Sequence, residues 1–169
     1  PEVIQGADKV IFPGVGEAST AMDYLRERKL DKLIAGLKQP FLGICLGQQL
    51  MCKHSEENDT ECLGIFDLNV LKFEPKLKVP HMGWNTVDIK KQSALADGLT
   101  ADSYTYFVHS YYCVPKSPDD LLFATSYGID FAAGVERDNV YGVQFHPEKS
   151  QVTGLKLLTN FLKTKEAVR

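Results

Sequence analysis

The chain has 169 residues and a mass of 18.9 kDa, which predicts one domain over residues 1–169 with a core of its own. Nineteen basic and 22 acidic residues give a net charge of −3, too little positive field to hold a nucleic-acid backbone. No apolar run approaches the roughly 20 residues of a membrane span, and no signal peptide is expected. We therefore expect a cytoplasmic protein that binds neither nucleic acid nor membrane.

The four cysteines and four histidines lack the spacing of a metal site. No cysteine pair has the C-x-x-C form, and no two histidines share one element at ligand spacing. We therefore expect no metal, no cofactor and reduced thiols, with three of the cysteines in packing or surface positions: Cys52, Cys62 and Cys113.

The first half of the chain alternates between strand and helix patterns. Residues 7–12 predict a strand that the Pro-Gly-rich residues 13–16 end. Residues 41–44 predict a second strand, followed by a helix over 46–53. Residues 17–38 have helical periodicity, with one apolar stripe formed by Ala21, Leu25, Leu30, Leu33, Ile34 and Leu37.

The second half is richer in strands. Residues 56–61 predict a loop, and strands are expected over 68–73, 86–89, 104–108, 121–125, 131–135 and 140–145. A last helix over 151–165 carries an apolar stripe of Leu155, Leu158, Phe161 and Leu162. The whole pattern predicts a three-layer α/β domain, with a mixed, mostly parallel central sheet, antiparallel additions at one edge and helices on both faces.

The segment Gly43-Ile44-Cys45-Leu46-Gly47 has the form of a nucleophile elbow with cysteine in place of serine. A strand precedes it and a helix follows, so the turn places the thiol at a helix N-terminus, where the dipole favours thiolate. The N–H of Leu46 can then serve an oxyanion hole. The alternative is a buried core cysteine between two packing glycines.

A thiol nucleophile needs a base, and His146-Pro147-Glu148 offers one at a strand end. Side chains two apart on extended chain point the same way, so His146 can face Cys45 while Glu148 binds its far nitrogen. Alternatively, His146 caps a helix or binds solvent, and Glu148 is a favourable charge before the last helix. The rival bases are His81, His109 and His54, the last expected at a solvated helix end.

These motifs together resemble the class I (triad-type) glutamine amidotransferases. The resemblance rests on the elbow with its continuation Gln48-Gln49-Leu50-Met51, on Pro13-Gly14-Val15-Gly16, and on Gln144-Phe-His-Pro-Glu. Pro80-His-Met-Gly-Trp-Asn and Tyr106-Phe-Val-His-Ser-Tyr are most similar to the glutaminase subunits of imidazole glycerol phosphate synthases. The family usually opens with a further strand and helix, so the resemblance implies an N-terminally incomplete domain. Members of the family commonly have Met at the position of Gln48.

The resemblance implies that glutamine is hydrolysed to glutamate and ammonia through a glutamyl thioester on Cys45, with His146 and Glu148 completing the triad. The implied oxyanion hole joins Leu46 to Val15, with Gly14 in the same loop. The implied substrate contacts are Gln49, Glu57, Ser110 and Tyr111. Each of these four also has a structural reading, as a polar helix residue, a solvated loop charge or strand packing.

The resemblance further implies a heterodimer with a (β/α)₈-barrel cyclase subunit that receives the ammonia in histidine biosynthesis. Four residues match positions at or near that interface: His81, Trp84, Tyr106 and Lys149. Trp84 is the only tryptophan, and its alternative place is the core. Three other functions stay open: a stand-alone cysteine hydrolase of the γ-glutamyl hydrolase kind, the amidotransferase subunit of another synthase, and a non-catalytic scaffold.

Overall fold

A ten-stranded sheet and a separate two-stranded ribbon form the framework of the molecule. The computed structural model describes residues 1–74, 76 and 78–165. The helices are α1 (Glu2–Gln5), α2 (Ala18–Glu27), α3 (Leu30–Ala35), α4 (Leu46–Leu50) and α5 (Gln151–Lys163). The strands are β1 (Val10–Gly14), β2 (Phe41–Cys45), β3 (His54–Ser55), β4 (Thr60–Glu61), β5 (Asn69–Lys72), β6 (His81–Thr86), β7 (Asp88–Ile89), β8 (Tyr104–His109), β9 (Tyr111–Val114), β10 (Leu121–Ser126), β11 (Asp130–Arg137) and β12 (Val140–Val143).

The large sheet is mixed, as the sequence predicts. Its main order is β1-β2-β12-β11-β9-β5-β3-β4, with β10 joining β11 to β7. The pairs β1–β2, β2–β12 and β3–β5 are parallel, and the other pairs are antiparallel. The parallel part therefore surrounds β2, while the antiparallel part is more extensive than the sequence indicates. The ribbon is the antiparallel pair β6–β8.

Two hydrophobic clusters lie on opposite faces of β2, because alternate side chains of a strand point to opposite sides. Phe41 belongs to the cluster under α2, α3 and α4, while Leu42 and Ile44 belong to the cluster under α5. Each fully buried apolar side chain contributes roughly 1.5–3 kcal/mol. This arrangement confirms the three-layer prediction of a sheet between helices.

The prediction of a single helix over residues 17–38 is wrong in one respect, since the structure has two helices there. α2 ends at Glu27, Lys29 adopts a left-handed φ of 54°, and α3 begins at Leu30. Leu25 and Ile34 are nine residues apart and would point in opposite directions on one continuous helix. The break lets both side chains enter the same cluster.

The apolar stripe predicted for α5 is wrong in part. Leu155 and Leu162 are 67% and 66% exposed, whereas Leu157 and Phe161 are fully buried. Gly154 and Asn160 share the buried face, with Gly154 packed so closely that a Cβ would lie 1.7 Å from the Pro147 carbonyl oxygen. Asn160 donates to the carbonyls of Leu95 and Asp97.

Several shorter elements also differ from the prediction. The helix expected over 46–53 ends at Leu50, so His54 lies on β3 rather than at a helix end. The loop expected over 56–61 ends in β4, and β6 begins at His81, where the sequence predicts no strand before residue 86. Within the described ranges, no helix is both long enough and apolar enough to cross a membrane.

Candidate active site

The turn from β2 into α4 has the geometry of a nucleophile elbow. Cys45 adopts φ 55° and ψ −111°, a strained conformation for a residue with a side chain. A Cβ at Gly47 would lie 1.9 Å from the Phe12 carbonyl oxygen, and one at Gly43 would lie 2.8 Å from the Gly47 carbonyl carbon. Both glycines are therefore required, because the turn brings α4 against β1 and β2.

The Cys45 thiol is buried and rests protonated. Its side chain is 8% exposed, and burial raises the pKa of the thiol to about 11. A hydrogen bond from the backbone N–H of Leu46 lowers the pKa by less than burial raises it, and the charge of Glu148 raises it further. The position at a helix N-terminus, which favours thiolate, is therefore not enough to ionise the thiol. Burial of the thiol outweighs the hydrogen bonds that favour its ionised form, so the thiol needs a base.

His146 lines the same cavity as that thiol and is held by Glu148. Its Nδ1 lies 2.6 Å from Oε1 of Glu148, and because a carboxylate only accepts, Nδ1 carries the hydrogen. Nε2 is buried without a hydrogen-bond partner. The main chain is fixed as well, with the His146 N–H donating to the Tyr106 carbonyl and the Ser150 hydroxyl donating to the His146 carbonyl. The helix-capping alternative for His146 is wrong, since its side chain makes no cap hydrogen bond.

One cavity of about 380 Å³ brings Cys45 and His146 together with the predicted oxyanion-hole and substrate residues. Its walls come from the loop after β1, the elbow, the loop after β3, the end of β8 and the turn after β12. This volume suits a small polar substrate. The lining residues are Gly14, Val15, Gly16, Cys45, Leu46, Gln49, Glu57, Pro80, Val108, His109, Ser110, Tyr111, His146 and Lys149.

Residues 2–165 match the family model described as glutamine amidotransferase class-I. The chain belongs to the class-I glutamine amidotransferases. It is 54% identical over 164 residues to the imidazole glycerol phosphate synthase subunit HisH of Bacteroides thetaiotaomicron, which covers 95% of this chain and 82% of that protein. The HisH subunit of Escherichia coli strain K12 is 49% identical over 164 residues, with 96% of this chain and 83% of that protein covered.

Solved structures agree with the fold of this amidotransferase. A putative GMP synthase protein from Thermoplasma acidophilum superposes with a TM-score of 0.71 at 21% identity, covering 95% of this chain and 74% of that one. A glutamine amidotransferase from Thermotoga maritima superposes with a TM-score of 0.63 at 19% identity, covering 92% and 62%. At these identities the likeness concerns the fold alone.

Two of the four predicted substrate residues also have structural contacts in this amidotransferase. The Nε2 atom of Gln49 donates to the Tyr111 carbonyl (3.1 Å) and to Oε1 of Gln144 (3.0 Å). Glu57 accepts a 2.8 Å hydrogen bond from the backbone N–H of Ala18 at the start of α2. Ser110 and Tyr111 line the same wall. All four residues therefore reach the cavity, and Gln49 and Glu57 also hold its walls together.

The three histidines that could rival His146 as the base make hydrogen bonds to other groups of the amidotransferase. His109 lines the cavity, but its Nδ1 bonds the Tyr111 carbonyl (2.7 Å) and its Nε2 bonds Nδ1 of His81 (2.9 Å). Burial lowers the pKa of His109 to about 3 and that of His81 to about 4, so both rings are neutral. His54 bonds Asp59 outside the cavity. None of the three faces Cys45 with a free nitrogen.

The β6–β8 ribbon carries an exposed aromatic surface beside the cavity. Trp84 is 46% exposed, so its alternative place in the core is wrong. Its ring packs edge-on against Tyr106 (5.7 Å between centroids), and Nζ of Lys149 lies 6.0 Å from the Tyr106 ring. His81 differs, since it is 3% exposed and stacks between Phe107 and Tyr127. The place of His81 at or near an interface stays a prediction, and its side chain lies beneath the surface.

Two features of the site were not predicted from the sequence. One is the pairing of His81 with His109, and the other is Gln144, whose amide nitrogen lies 3.6 Å from Sγ of Cys45. Gln144 had a signal, since it stands two residues before His146 in the same motif. In the part of the chain that the structure describes, no group of three His, Cys, Asp or Glu side chains is arranged to hold a metal ion.

Proposed function

We propose that this amidotransferase is the glutaminase subunit of an imidazole glycerol phosphate synthase, in which it hydrolyses glutamine to glutamate and ammonia. The observation that carries this proposal is the unpaired Nε2 of His146 in the same cavity as the Cys45 thiol. The 44–54% identity to imidazole glycerol phosphate synthase subunits supports the synthase assignment.

The first half-reaction forms a thioester. Cys45 Sγ attacks the side-chain carboxamide carbon of glutamine while its proton moves to Nε2 of His146. Glu148 accepts from Nδ1 and stabilises the imidazolium that forms. The developing oxyanion accepts hydrogen bonds from the N–H groups of Leu46 and Val15, with Gly14 and Gly16 giving their loop its conformation. His146 then protonates the amide nitrogen, the C–N bond breaks, and ammonia leaves.

The second half-reaction restores the enzyme. His146 takes a proton from water as the oxygen attacks the thioester carbon, through a second oxyanion in the same hole. The C–S bond breaks, glutamate forms, and the Cys45 thiolate recovers its proton from His146. The sum is glutamine plus water to glutamate plus ammonia, with no redox change and no cofactor.

Four cavity residues are proposed to hold the amino-acid end of glutamine. The carboxylate of Glu57 suits the substrate ammonium group, since opposite charges attract most strongly where water is partly excluded. Gln49 and the Ser110–Tyr111 wall supply amide, hydroxyl and backbone groups for the remaining contacts. Together they orient the carboxamide toward Cys45, which is the role of a positioned substrate site.

The ribbon is the proposed docking surface for a (β/α)₈-barrel cyclase subunit in a heterodimer. Trp84 and Tyr106 are exposed or half-exposed aromatic side chains, which commonly anchor interfaces. Lys149 connects this surface to the cavity rim, so a partner seated there covers the mouth from which ammonia leaves.

The four free cysteines are consistent with a reducing compartment, and we place the reaction in the cytoplasm.

The test is glutamate release from glutamine, measured for the chain alone and in the presence of the cyclase partner with its nucleotide substrate. Strong stimulation by the partner that Cys45→Ala abolishes is the expected result. Full activity without any partner favours a stand-alone cysteine hydrolase. Stimulation only by the subunit of a different synthase favours that synthase. A folded chain that releases no glutamate under any of these conditions contradicts the proposal and favours a scaffold.

A further inference from the structure

Gln144 is a fully buried side chain in contact with the sulfur of Cys45. Its Nε2 lies 3.6 Å from Sγ, within the range of an N–H···S hydrogen bond. Its main chain is fixed by a 2.8 Å hydrogen bond from its N–H to the Ala133 carbonyl, directly after β12. None of the steps assigned to Cys45, His146 and Glu148 uses this amide. We propose that Gln144 is a positioning residue that donates an N–H to the Cys45 thiolate and stabilises it during attack.

The direction of this hydrogen bond follows from a backbone carbonyl. The Tyr111 oxygen can only accept, so the amide atom of Gln49 that lies 3.1 Å from it must be Nε2. The same Nε2 lies 3.0 Å from Gln144, which must therefore present its Oε1. The other end of the Gln144 amide, which faces Cys45, is then the NH₂ group. A flipped amide at either glutamine would place two donors or two acceptors against each other.

This orientation matters because the thiolate has few other partners. Once His146 has taken the proton, the sulfur carries a charge in a buried site, and the carboxylate of Glu148 opposes that charge. The N–H of Leu46 and the amide of Gln144 are the two groups whose hydrogen bonds lower the pKa of Cys45. A hydrogen bond to a charged group contributes more than one between neutral groups. Gln144 thereby offsets part of the desolvation that otherwise keeps the thiol protonated.

Gln48, on α4, offers a matched control for Gln144. It is as fully buried as Gln144, but its Nε2 donates to the Ala132 carbonyl and to Sγ of Cys113 rather than to Cys45. Its Oε1 is buried without a partner. Gln48→Met and Gln144→Met thus make the same chemical change in the same core, and only the second removes a donor from Cys45.

The test is the rate at which iodoacetamide alkylates Cys45 between pH 6 and pH 10, followed by mass spectrometry of the Cys45 peptide. Losing one hydrogen bond to a charged group lowers the thiolate fraction about tenfold, and the greater nucleophilicity of the more basic thiolate recovers about threefold. We therefore expect Gln144→Met to react about threefold more slowly than the unchanged protein at each pH below the thiol pKa. Gln144→Glu, of nearly equal shape, is expected to react more slowly still, because a carboxylate repels the thiolate.

If Gln144 had only a structural role, Cys45 would be alkylated faster in Gln144→Glu than in Gln144→Met, since the near-isosteric Glu should disturb packing less than Met. Equal rates for Gln144→Met and the unchanged protein would overturn the proposal, as would an equal slowing by Gln48→Met. The proposal rests on the proposed function only in taking Cys45 as the nucleophile. Alkylation needs neither glutamine nor a partner, so a failure of glutaminase activity leaves this measurement intact.

Discussion

Glu148 accepts a 2.6 Å hydrogen bond from Nδ1 of His146, and the opposite nitrogen of the same ring is buried without a hydrogen-bond partner. The carboxylate therefore fixes the tautomer that leaves Nε2 able to take a proton. Because burial keeps the Cys45 thiol protonated, this acceptor is what the thiol requires for attack. The thiol and its proposed base thus share one cavity.

Glu148→Gln is expected to lower glutamate release by about 10²–10³-fold, because an amide does not stabilise the imidazolium as a carboxylate does. The Glu148 side chain is half exposed, so the melting temperature should change little. Steady-state kinetics with the partner present and a thermal unfolding scan measure the two effects. Unchanged kcat in this variant would show that Glu148 does not serve His146.

Gly47→Ala is expected to lower the free energy of unfolding by about 3 kcal/mol or more, because its Cβ would overlap the Phe12 carbonyl oxygen. Urea titration measures the change. Gly36→Ala is the control, at a helix end with φ −96°, where the nearest atom lies 3.3 Å away. Equal effects of the two substitutions would contradict the close approach of α4 to β1.

Trp84→Ala is expected to weaken binding to the cyclase subunit by about 30-fold, the effect of losing a hot-spot anchor of about 2 kcal/mol. Calorimetric titration measures the affinity. Tyr24→Ala is the control, because Tyr24 is 53% exposed on α2 and lies outside the cavity and the ribbon. An equal loss of affinity in both variants would remove the ribbon from the interface.

The buried pair His81–His109 makes the free energy of unfolding depend on pH. Burial lowers the pKa of both rings from 6.5, to about 4 for His81 and about 3 for His109. As the pH falls below 6.5, the unfolded chain takes up protons that the folded chain does not, so the free energy of unfolding falls. The pair's stabilisation is therefore fully present above pH 6.5 and is lost toward pH 4 and below.

His109→Gln removes one of these titrations, so the slope of unfolding free energy against pH between 5.5 and 4.5 should fall by about 1.4 kcal/mol per pH unit. Urea titrations at three pH values measure the slope independently of absolute stability. His54→Gln, at a partly exposed position, is the matched control. A slope equal to that of the unchanged protein would contradict a neutral buried His109.

Local motifs made much of this site predictable. The elbow places Cys45 at a strand end, and the alternation of extended chain puts His146 and Glu148 on one side. The mixed three-layer fold followed from strand–helix alternation around β2. These features depend on short stretches of sequence, which is why residue spacing was enough to predict them.

Features that depend on contacts between residues far apart in the sequence could not be predicted from residue spacing. His81 and His109 meet only because the β6–β8 register sets them opposite each other. The raised pKa of Cys45 comes mainly from burial by the whole fold. In α5, Asn160 replaces an apolar side chain on the buried face because it bonds two carbonyls near Leu95. Periodicity of apolar residues gives no sign of that contact.

The most direct test of the account is covalent labelling with a glutamine-mimicking diazoketone, read by mass spectrometry of the digested chain. The account predicts one adduct on Cys45, suppressed by excess glutamine and absent from Cys45→Ala, with three cysteines unlabelled: Cys52, Cys62 and Cys113. A glutamine-protected adduct on any other residue, or a folded chain left unlabelled at Cys45, would contradict the claim that Cys45 attacks glutamine.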